Sequence, residues 1–209
     1  MTEPKLSILI PAYNAEETII KALDSCPHRE DVEIIVYDDG STDDTYKILR
    51  EYPFPTFYQL KVIHCCENNG VAYAVNRLLS EAEGEWLVLL GSDDWLITEA
   101  FESVMDMLKP TLDLVYFNLE TNDGSIYRLR EESKFFYCGS VKFMRRAFVG
   151  RTRLDESKKA GEDWYFFNKL QAKKPREAFT GVTAKHYNYP RKGSLSDRRK
   201  HGEFTKDEV

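Results

Sequence analysis

The stretch VEIIVYDDGSTDDTYKILREY, residues 32–52, predicts a strand and the helix that follows it. Its opening apolar run is typical of a strand that is buried on both faces of a parallel sheet. Two acids and Gly40 end this run. Ser41 or Thr42 then caps a helix, and further acids lie near the positive end of the helix dipole.

The same order of strand and helix occurs on both sides of this stretch. Apolar runs at 6–11 and near 60–64 predict strands, and amphipathic segments at 14–26 and 68–84 predict the helices that follow them. Residues 85–90, EWLVLL, predict a fourth strand. This alternation predicts an α/β fold, with a Rossmann-like, mostly parallel sheet flanked by helices on both faces.

The residues that follow the strands should lie close together. Right-handed crossovers bring the carboxyl ends of parallel strands to one edge, and such sheets bind ligands in the crevice outside that edge. Residues 11–13, 38–39 and 93–94 each follow a predicted strand. We therefore expect these three segments to line a single cleft.

The second half of the chain is less regular. Residues 97–110 predict a helix, residues 112–121 a strand, and residues 126–130 a returning strand after a turn. Helices are also expected over 140–150 and 161–173, followed by a polar tail. We interpret residues 1–197 as a single domain and residues 198–209 as a polar C-terminal tail.

Composition excludes some classes of partner. The chain has 209 residues and a formal net charge of −6, which argues against a nucleic-acid-binding surface. Its four cysteines have no metal-site spacing and are interpreted as reduced thiols. The N-terminus has no leader pattern, and no apolar stretch approaches the roughly 18 residues of a membrane span. These features predict a cytoplasmic protein, and a peripheral membrane contact stays open.

The pair Asp93–Asp94, which directly follows the fourth strand, needs a partner of opposite charge. A divalent cation is one such partner, because Mg²⁺ and Mn²⁺ take one or two carboxylates together with water and phosphate oxygens. The alternative is a solvated turn or a cap for the helix that starts near Ile97.

Each of the other candidate residues beside the expected cleft has a functional and a structural interpretation. Asp38 and Asp39 could accept hydrogen bonds from a nucleobase or ribose, or could serve turn chemistry. Tyr13 could form the floor of a base pocket, or simply pack. Asp163, which follows Glu162 at a helix start, could be a general base, or could only favour the helix dipole.

The tail also offers candidates. Arg191, Lys192, Ser194 and Ser196 surround Gly193, and cations with hydroxyls on a loop suit a diphosphate. The alternative is a solvated charged face.

Taken together, six motifs resemble those of the inverting glycosyltransferases of family 2, which have the GT-A fold. They are SILIPAYNAEETIIKALDS (7–25), EIIVYDDGSTDDT (33–45), NNGVAYAVN (68–76), GEWLVLLGSDDW (84–95), AGEDWYFFNKL (160–170) and YNYPRKGSLS (187–196). The resemblance spans roughly residues 5–197 and is least specific between 111 and 150.

The resemblance implies a role for each site residue. Pro11, Ala12 and Tyr13 would line the nucleobase pocket, and Asp39, with Asp38, would accept the N3–H of uracil. Beneath the nucleotide would lie Asn69, Gly70 and Asn76. Asp94 would ligate Mn²⁺ or Mg²⁺, with Asp93 touching ribose or a metal-bound water. Asp163 would be the catalytic base beside Trp164, and the diphosphate would be covered by Arg191, Lys192 and Ser194.

The implied reaction is metal-dependent transfer of a hexosyl or N-acetylhexosaminyl group, with inversion, from a nucleotide sugar to an acceptor hydroxyl. The donor would be UDP-linked and the acceptor a glycan or glycolipid of cell-surface polysaccharide synthesis. A homodimer and a histidine ligand, His186, stay open.

Other functions fit the sequence less well. A nucleotidyltransferase would need a Gly-rich basic loop after the first strand, where this chain has PAYNAEET. A sugar-nucleotide-binding module without turnover stays open. Dinucleotide oxidoreductases and P-loop enzymes are excluded, because GxGxxG after the first strand and GxxxxGK[ST] are both absent.

Overall fold

A computed structural model describes residues 4–53, 59–130, 136, 138–158, 161–192 and 201. The strands are β1 Leu6–Ala12, β2 Val32–Asp39, β3 Gln59–Cys65, β4 Trp86–Leu89, β5 Trp95–Leu96, β6 Leu114–Thr121, β7 Ile126–Tyr127, β8 Lys142–Arg145 and β9 Glu177–Tyr187. The helices are α1 Ile19–Asp24, α2 Thr45–Glu51, α3 Val71–Glu81, α4 Thr98–Met105, α5 Arg146–Val149 and α6 Glu162–Gln171.

One mixed sheet carries the fold, in the order β3-β2-β1-β4-β8-β6-β9-β5, with β7 added beside β6. The four strands predicted from the first half pair in parallel, as expected. In the second half, β8 runs antiparallel to both β4 and β6, whereas β6 and β9 are parallel. The carboxyl ends of β1, β2 and β4 therefore lie along one edge.

Helices cover both faces of the sheet, as the sequence predicts. Ile8 and Ile10 of β1 pack with α1 and α4 on one face, and Leu9 packs with α3 and α6 on the other. Neighbouring residues of a strand point to opposite faces, so a strand that is covered on both sides must be apolar throughout. Each fully buried Leu or Ile stabilises the fold by about 1.5–3 kcal/mol.

The helix predicted over 140–150 is confirmed only in its last part. A single turn of 3₁₀ helix at Gly139–Val141 leads into β8, and only Arg146–Val149 is helical. Phe143 and Met144 of β8 are buried on opposite faces of the sheet. Sheet pairing therefore overrides a charged pattern that resembles an exposed helix, and Lys142 itself is fully buried.

Strand β9 is absent from the sequence prediction. This strand of eleven residues pairs in parallel with β6, with register shifts around Asn118. A left-handed Gly181 (φ +71°) interrupts the alternation of apolar residues that would have marked the strand. The returning strand expected over 126–130 is limited to Ile126–Tyr127.

The predicted boundary between domain and tail falls outside the described residues, since 193–200 and 202–209 are not among them. The division at 197/198 stays a prediction. All four cysteines are free thiols. Within the described part of the chain, no helix is both long enough and apolar enough to cross a bilayer.

A buried carboxylate joins β6, β8 and β9 at the other edge of the sheet. Asp113 accepts hydrogen bonds from Arg145 Nη2 at 2.5 Å and from Arg176 Nε at 2.9 Å. Hydrogen bonding to the Arg176 guanidinium, and then to Arg145, holds the pKa of Asp113 well below its ordinary value of 3.8. A lowered folded-state pKa gives stability that is present above this ordinary value and is lost as the pH falls below it.

Asp113→Asn is expected to lower the free energy of unfolding by about 2 kcal/mol at pH 7, since Arg176 is half exposed and partly screened. For a chain of this length that corresponds to a fall in Tm of about 4–8 °C. Thermal unfolding followed by circular dichroism measures it. The difference from wild type should shrink as the pH falls below about 4, and exposed Asp106→Asn is the control. A difference that is constant with pH would contradict this role.

Candidate active site

A cleft lies outside the carboxyl ends of β1, β2 and β4, where the sequence places it. It consists of two adjoining cavities, of about 680 Å³ and about 290 Å³. Pro11, Val71 and Asp93 line both cavities, so the two lie side by side. The strand-end segments at 11–13 and 93–94, and Asp39 of β2, all reach it.

The larger cavity has an aromatic wall and a buried acid. Tyr13, which is 47% exposed, and Ala12 both line this cavity. Asp39 accepts hydrogen bonds from the main-chain N–H groups of Asn69 at 3.1 Å and Gly70 at 2.7 Å. Burial raises the pKa of Asp39, and these two N–H groups oppose the rise. Gly70 begins α3 with φ +91°, a conformation that favours glycine.

Asp38, in contrast, does not reach the cleft. Its side chain is fully buried, with Oδ2 2.7 Å from His64 Nδ1 on the neighbouring strand. Its Oδ1 accepts a hydrogen bond from the Ser41 hydroxyl. Both carboxylate oxygens are therefore occupied, and the expectation that Asp38 helps to bind a base does not fit its surroundings.

The smaller cavity brings Asp163 to the same space as Asp93 and Asp94. Gly161, in the left-handed region at φ +74°, precedes α6 and directs Glu162 and Asp163 into its first turn. Asp163 Oδ1 accepts the main-chain N–H of Trp164 at 2.8 Å, and the Trp164 side chain is half exposed. The candidate base and the acid pair thus face one cavity.

The two acids of the pair have different surroundings. Asp94 is buried, with Oδ2 2.7 Å from Lys185 Nζ and Oδ1 accepting the N–H of Asn188 at 2.9 Å. Burial raises the pKa of Asp94, and the Lys185 charge opposes this. Asp93 lines both cavities, and its Oδ2 is 2.6 Å from Arg191 Nη2. The partners of the pair in this structure are therefore two side-chain cations.

A divalent cation fits this site only together with a diphosphate. Among the described residues no group of three or more His, Cys, Asp and Glu side chains could hold a metal. Both oxygens of Asp94 are engaged, which argues against its expected role as the ligand. Asp93 faces the cleft, and one carboxylate suffices where phosphate oxygens and water supply the other ligands.

His186 does not complete such a site. Its ring stacks on Trp95 at 4.0 Å between centroids. Its Nδ1 is 3.1 Å from Glu120 Oε1, and its Nε2 is 2.8 Å from Asn122 Oδ1. Both ring nitrogens are thus engaged away from the acid pair.

Of the residues expected to cover the diphosphate, the structure describes only the two basic ones. Arg191 lines the larger cavity, and Lys192 follows it as an exposed residue. Ser194 and Ser196 lie outside the described residues. Asn76, expected beneath the nucleotide, instead holds a loop, since its Oδ1 accepts the Leu154 N–H at 2.9 Å.

Two buried lysines were missed by the sequence analysis. Lys185, on the unpredicted strand β9, forms an ion pair with Asp94 and donates a hydrogen bond to the Ser140 hydroxyl oxygen. Lys142 lies 3.7 Å from the Phe167 ring centroid, and burial lowers its pKa to about 7, with Asp163 among the charges that oppose this. The signal available in the sequence was a lysine flanked by apolar residues, which alone is too common to be diagnostic.

Comparison with known proteins now adds to this geometry. Residues 7–170 match the family described as Glycosyl transferase family 2. The chain belongs to this family. The family predicted from the six motifs is thereby confirmed.

The curated relatives described next are longer than this chain. TuaG of Bacillus subtilis, a putative teichuronic acid biosynthesis glycosyltransferase, is 35% identical over 131 residues, which is 59% of this chain and 50% of TuaG. A poly(ribitol-phosphate) beta-glucosyltransferase of Bacillus spizizenii is 39% identical over 101 residues, 46% of this chain and 16% of that protein. The chain therefore spans half or less of these relatives.

Two solved structures share the fold. S. aureus TarS 1-349 in complex with UDP-GlcNAc has a TM-score of 0.77 and 24% identity, covering 91% of this chain and 60% of that one. The mannosyltransferase PcManGT of Pyrobaculum calidifontis, in complex with GDP-Man and Mn²⁺, has a TM-score of 0.72 and 18% identity, covering 97% and 62%. The predicted GT-A fold class is confirmed by this likeness.

Asp94→Asn is expected to lower the free energy of unfolding by about 3–5 kcal/mol, because it leaves the Lys185 charge buried without its partner. Lys185→Met should be similarly destabilising. The double variant, which removes both charges, should be more stable than either single variant. Chemical denaturation of the four proteins measures this. Strictly additive losses would show that the two side chains do not depend on each other.

Proposed function

We propose that the protein is an inverting glycosyltransferase that transfers a sugar from a UDP-linked donor to an acceptor hydroxyl, with Asp163 as general base. The observation that supports it most is the single cleft lined by Tyr13, Asp39, Asp93 and Asp163. Family membership supports the reaction class. The UDP and UDP-GlcNAc complexes of TarS support a uridine donor.

The larger cavity is where the nucleoside would bind. The exposed Tyr13 ring offers a flat apolar surface to a base. Asp39 is held by the N–H groups of Asn69 and Gly70, and a carboxylate oxygen has more than one lone pair. It can therefore also accept a hydrogen bond from the N3–H of uracil, and this would give the buried Asp39 a role in binding the base.

Asp93 and Arg191 would receive the diphosphate between them. Arginine binds phosphate through a pair of parallel N–H groups. Because Arg191 and Asp93 both lie at the surface of the cleft, Arg191 can exchange its contact with Asp93 for one with a phosphate. Asp93 is the residue that would hold Mn²⁺ or Mg²⁺. A divalent cation supplies positive charge that stabilises a diphosphate leaving group. Lys192 adds a further cation next to Arg191.

Asp163 would act from the smaller cavity on the acceptor. Its carboxylate takes the proton of an acceptor hydroxyl, whose oxygen attacks the anomeric carbon as the bond to the diphosphate breaks. One carboxylate suffices at the sugar, because the leaving group needs no proton from the protein, and attack opposite the leaving group inverts the configuration. The exposed Trp164 ring beside it can stack on an acceptor sugar.

A sugar-nucleotide-binding module without turnover is the alternative that the same cleft allows. The presence of Asp163 in the smaller cavity favours the enzyme over the module. Cell-surface polysaccharide synthesis is the proposed setting, from the printed names of TuaG and the Bacillus spizizenii relative. Dimerisation and peripheral membrane association stay predictions.

Asp163→Asn is expected to lower kcat roughly 10²–10⁴-fold, the usual contribution of a general base, while the affinity for UDP stays unchanged. Turnover is measured as UDP release from a panel of UDP-sugars and glycan acceptors, and UDP affinity by calorimetry. Glu162→Gln, at the neighbouring acid, is the matched variant and should keep far more activity. If Asp163→Asn were as active as wild type, or if only Glu162→Gln were inactive, the base would be assigned incorrectly.

Asp93→Asn is expected to remove the Mn²⁺-dependent gain in UDP affinity, a loss of roughly 10–100-fold for one charged contact. Calorimetry with UDP, with Mn²⁺ and with EDTA, measures this. Asp44→Asn, an exposed acid outside both cavities, serves as the control. An unchanged metal dependence in Asp93→Asn would exclude Asp93 as the ligand.

A further inference from the structure

A second cleft, of about 820 Å³, lies outside the site described above. It is lined mainly by α3, by the loop at 150–156 and by the end of α6. Its cationic side chains come from Arg77, Arg151, Arg153, Lys169 and Lys173. Two carboxylates, Asp155 and Glu156, also line it. This local excess of positive charge stands out in a chain whose net charge is −6.

These five cations lack an acidic partner among the residues that the structure describes. None of them takes part in an ion pair with the described residues. Arg153 donates to the carbonyl oxygen of Gly150 at 2.9 Å, and Lys173 donates to the Thr152 hydroxyl at 2.6 Å. Contacts with neutral oxygens orient these cations and leave their charge available to a ligand.

The two acids of the cleft are satisfied by neutral donors. Asp155 accepts the Ser157 hydroxyl at 2.6 Å, and Glu156 accepts the Asn76 amide at 2.8 Å. Neither acid forms an ion pair with one of the five cations among the described residues, although the pKa of Asp155 is lowered by its hydrogen bond from Ser157 and also by the nearby charge of Lys169. A cleft in which positive charges outnumber negative ones attracts an anionic ligand.

The basic cleft adjoins the active site. Leu154 lines both the basic cleft and the cavity that contains Asp163, and Glu156 lines both the basic cleft and the nucleotide cavity. Asp163 and Lys169 lie on the same helix, six residues apart in sequence, which corresponds to about 9 Å along its axis. A chain held in the basic cleft can therefore continue toward the candidate base.

We propose that this basic cleft binds an anionic acceptor chain, a polymer with phosphodiester groups, and leads its end to Asp163. The proposal rests on the proposed function. Three of the five cations are arginines, whose planar fork matches phosphate oxygens. The cleft shares Leu154 and Glu156 with the cavities of the candidate active site, which favours a chain that extends from one to the other rather than the surface of a bilayer. Its place outside the larger cavity distinguishes this ligand from the UDP-sugar donor.

The test measures binding of a fluorescein-labelled synthetic glycerol phosphate hexamer by anisotropy, with UDP and Mn²⁺ in excess so that the donor cleft is filled. The variant Arg77→Gln/Arg151→Gln/Lys169→Gln removes three cations with few structural contacts. We expect it to bind the hexamer at least tenfold more weakly than wild type, and to bind UDP unchanged. The matched control, Lys47→Gln/Arg50→Gln on α2, should bind like wild type.

Labelled maltohexaose and vesicles of phosphatidylglycerol with phosphatidylcholine are measured in parallel. Equal hexamer binding by wild type and the triple variant would overturn the proposal. So would tighter binding of the neutral sugar, or a charge-dependent affinity for vesicles without one for the hexamer. Calorimetry with UDP separates the two hypotheses. If the wild-type protein does not bind UDP, the proposed function is contradicted. If it binds UDP but not the hexamer, only the proposal of an anionic acceptor is contradicted.

Discussion

The buried ion pair between Asp94 and Lys185 is the contact on which the architecture of the site depends. Asp94 is 3% exposed and Lys185 fully buried, with 2.7 Å between them. A buried charge costs several kcal/mol unless it is paired, so neither residue is tolerated without the other. The pair joins β9 to the turn that follows β4, two segments that are distant in sequence.

This contact has consequences for the neighbouring acid. With Asp94 held by Lys185 and by the N–H of Asn188, the turn presents Asp93 to the cleft. The same attachment brings Arg191, four residues beyond the end of β9, to within 2.6 Å of Asp93. An acid that faces the cleft and a cation that can leave it form a site that is nearly neutral by itself and complementary to a diphosphate with its cation.

The sequence predicted the first half of the fold well, because hydrophobic periodicity there is strong and the helices alternate regularly with strands. It failed over 140–145 and 177–187, where sheet pairing rather than local pattern decides. Lys142 buried in β8 resembles a surface residue, and Gly181 breaks the alternation of β9. Long-range pairing of this kind leaves little trace in any short window of sequence.

The candidate site shows the same limit at finer scale. The sequence indicated adjacent acids at 38–39 and 93–94, but not which member of each pair is held by a side chain from another strand. The answer depends on residues that are distant in the chain, and a short window of sequence does not show them. Asp38 is taken by His64 and Asp94 by Lys185, and both partners come from other strands. Only the assembled sheet distinguishes Asp39 and Asp93.

The most direct test of the account is a crystal structure of the protein with a UDP-sugar and Mn²⁺. We expect uracil against Tyr13 with its N3–H directed at Asp39, the diphosphate between Asp93 and Arg191, and Asp163 on the opposite side of the anomeric carbon from the diphosphate. A nucleotide bound elsewhere, or a sugar whose anomeric carbon is out of reach of Asp163, would contradict the central claim that these strand ends form one transfer site.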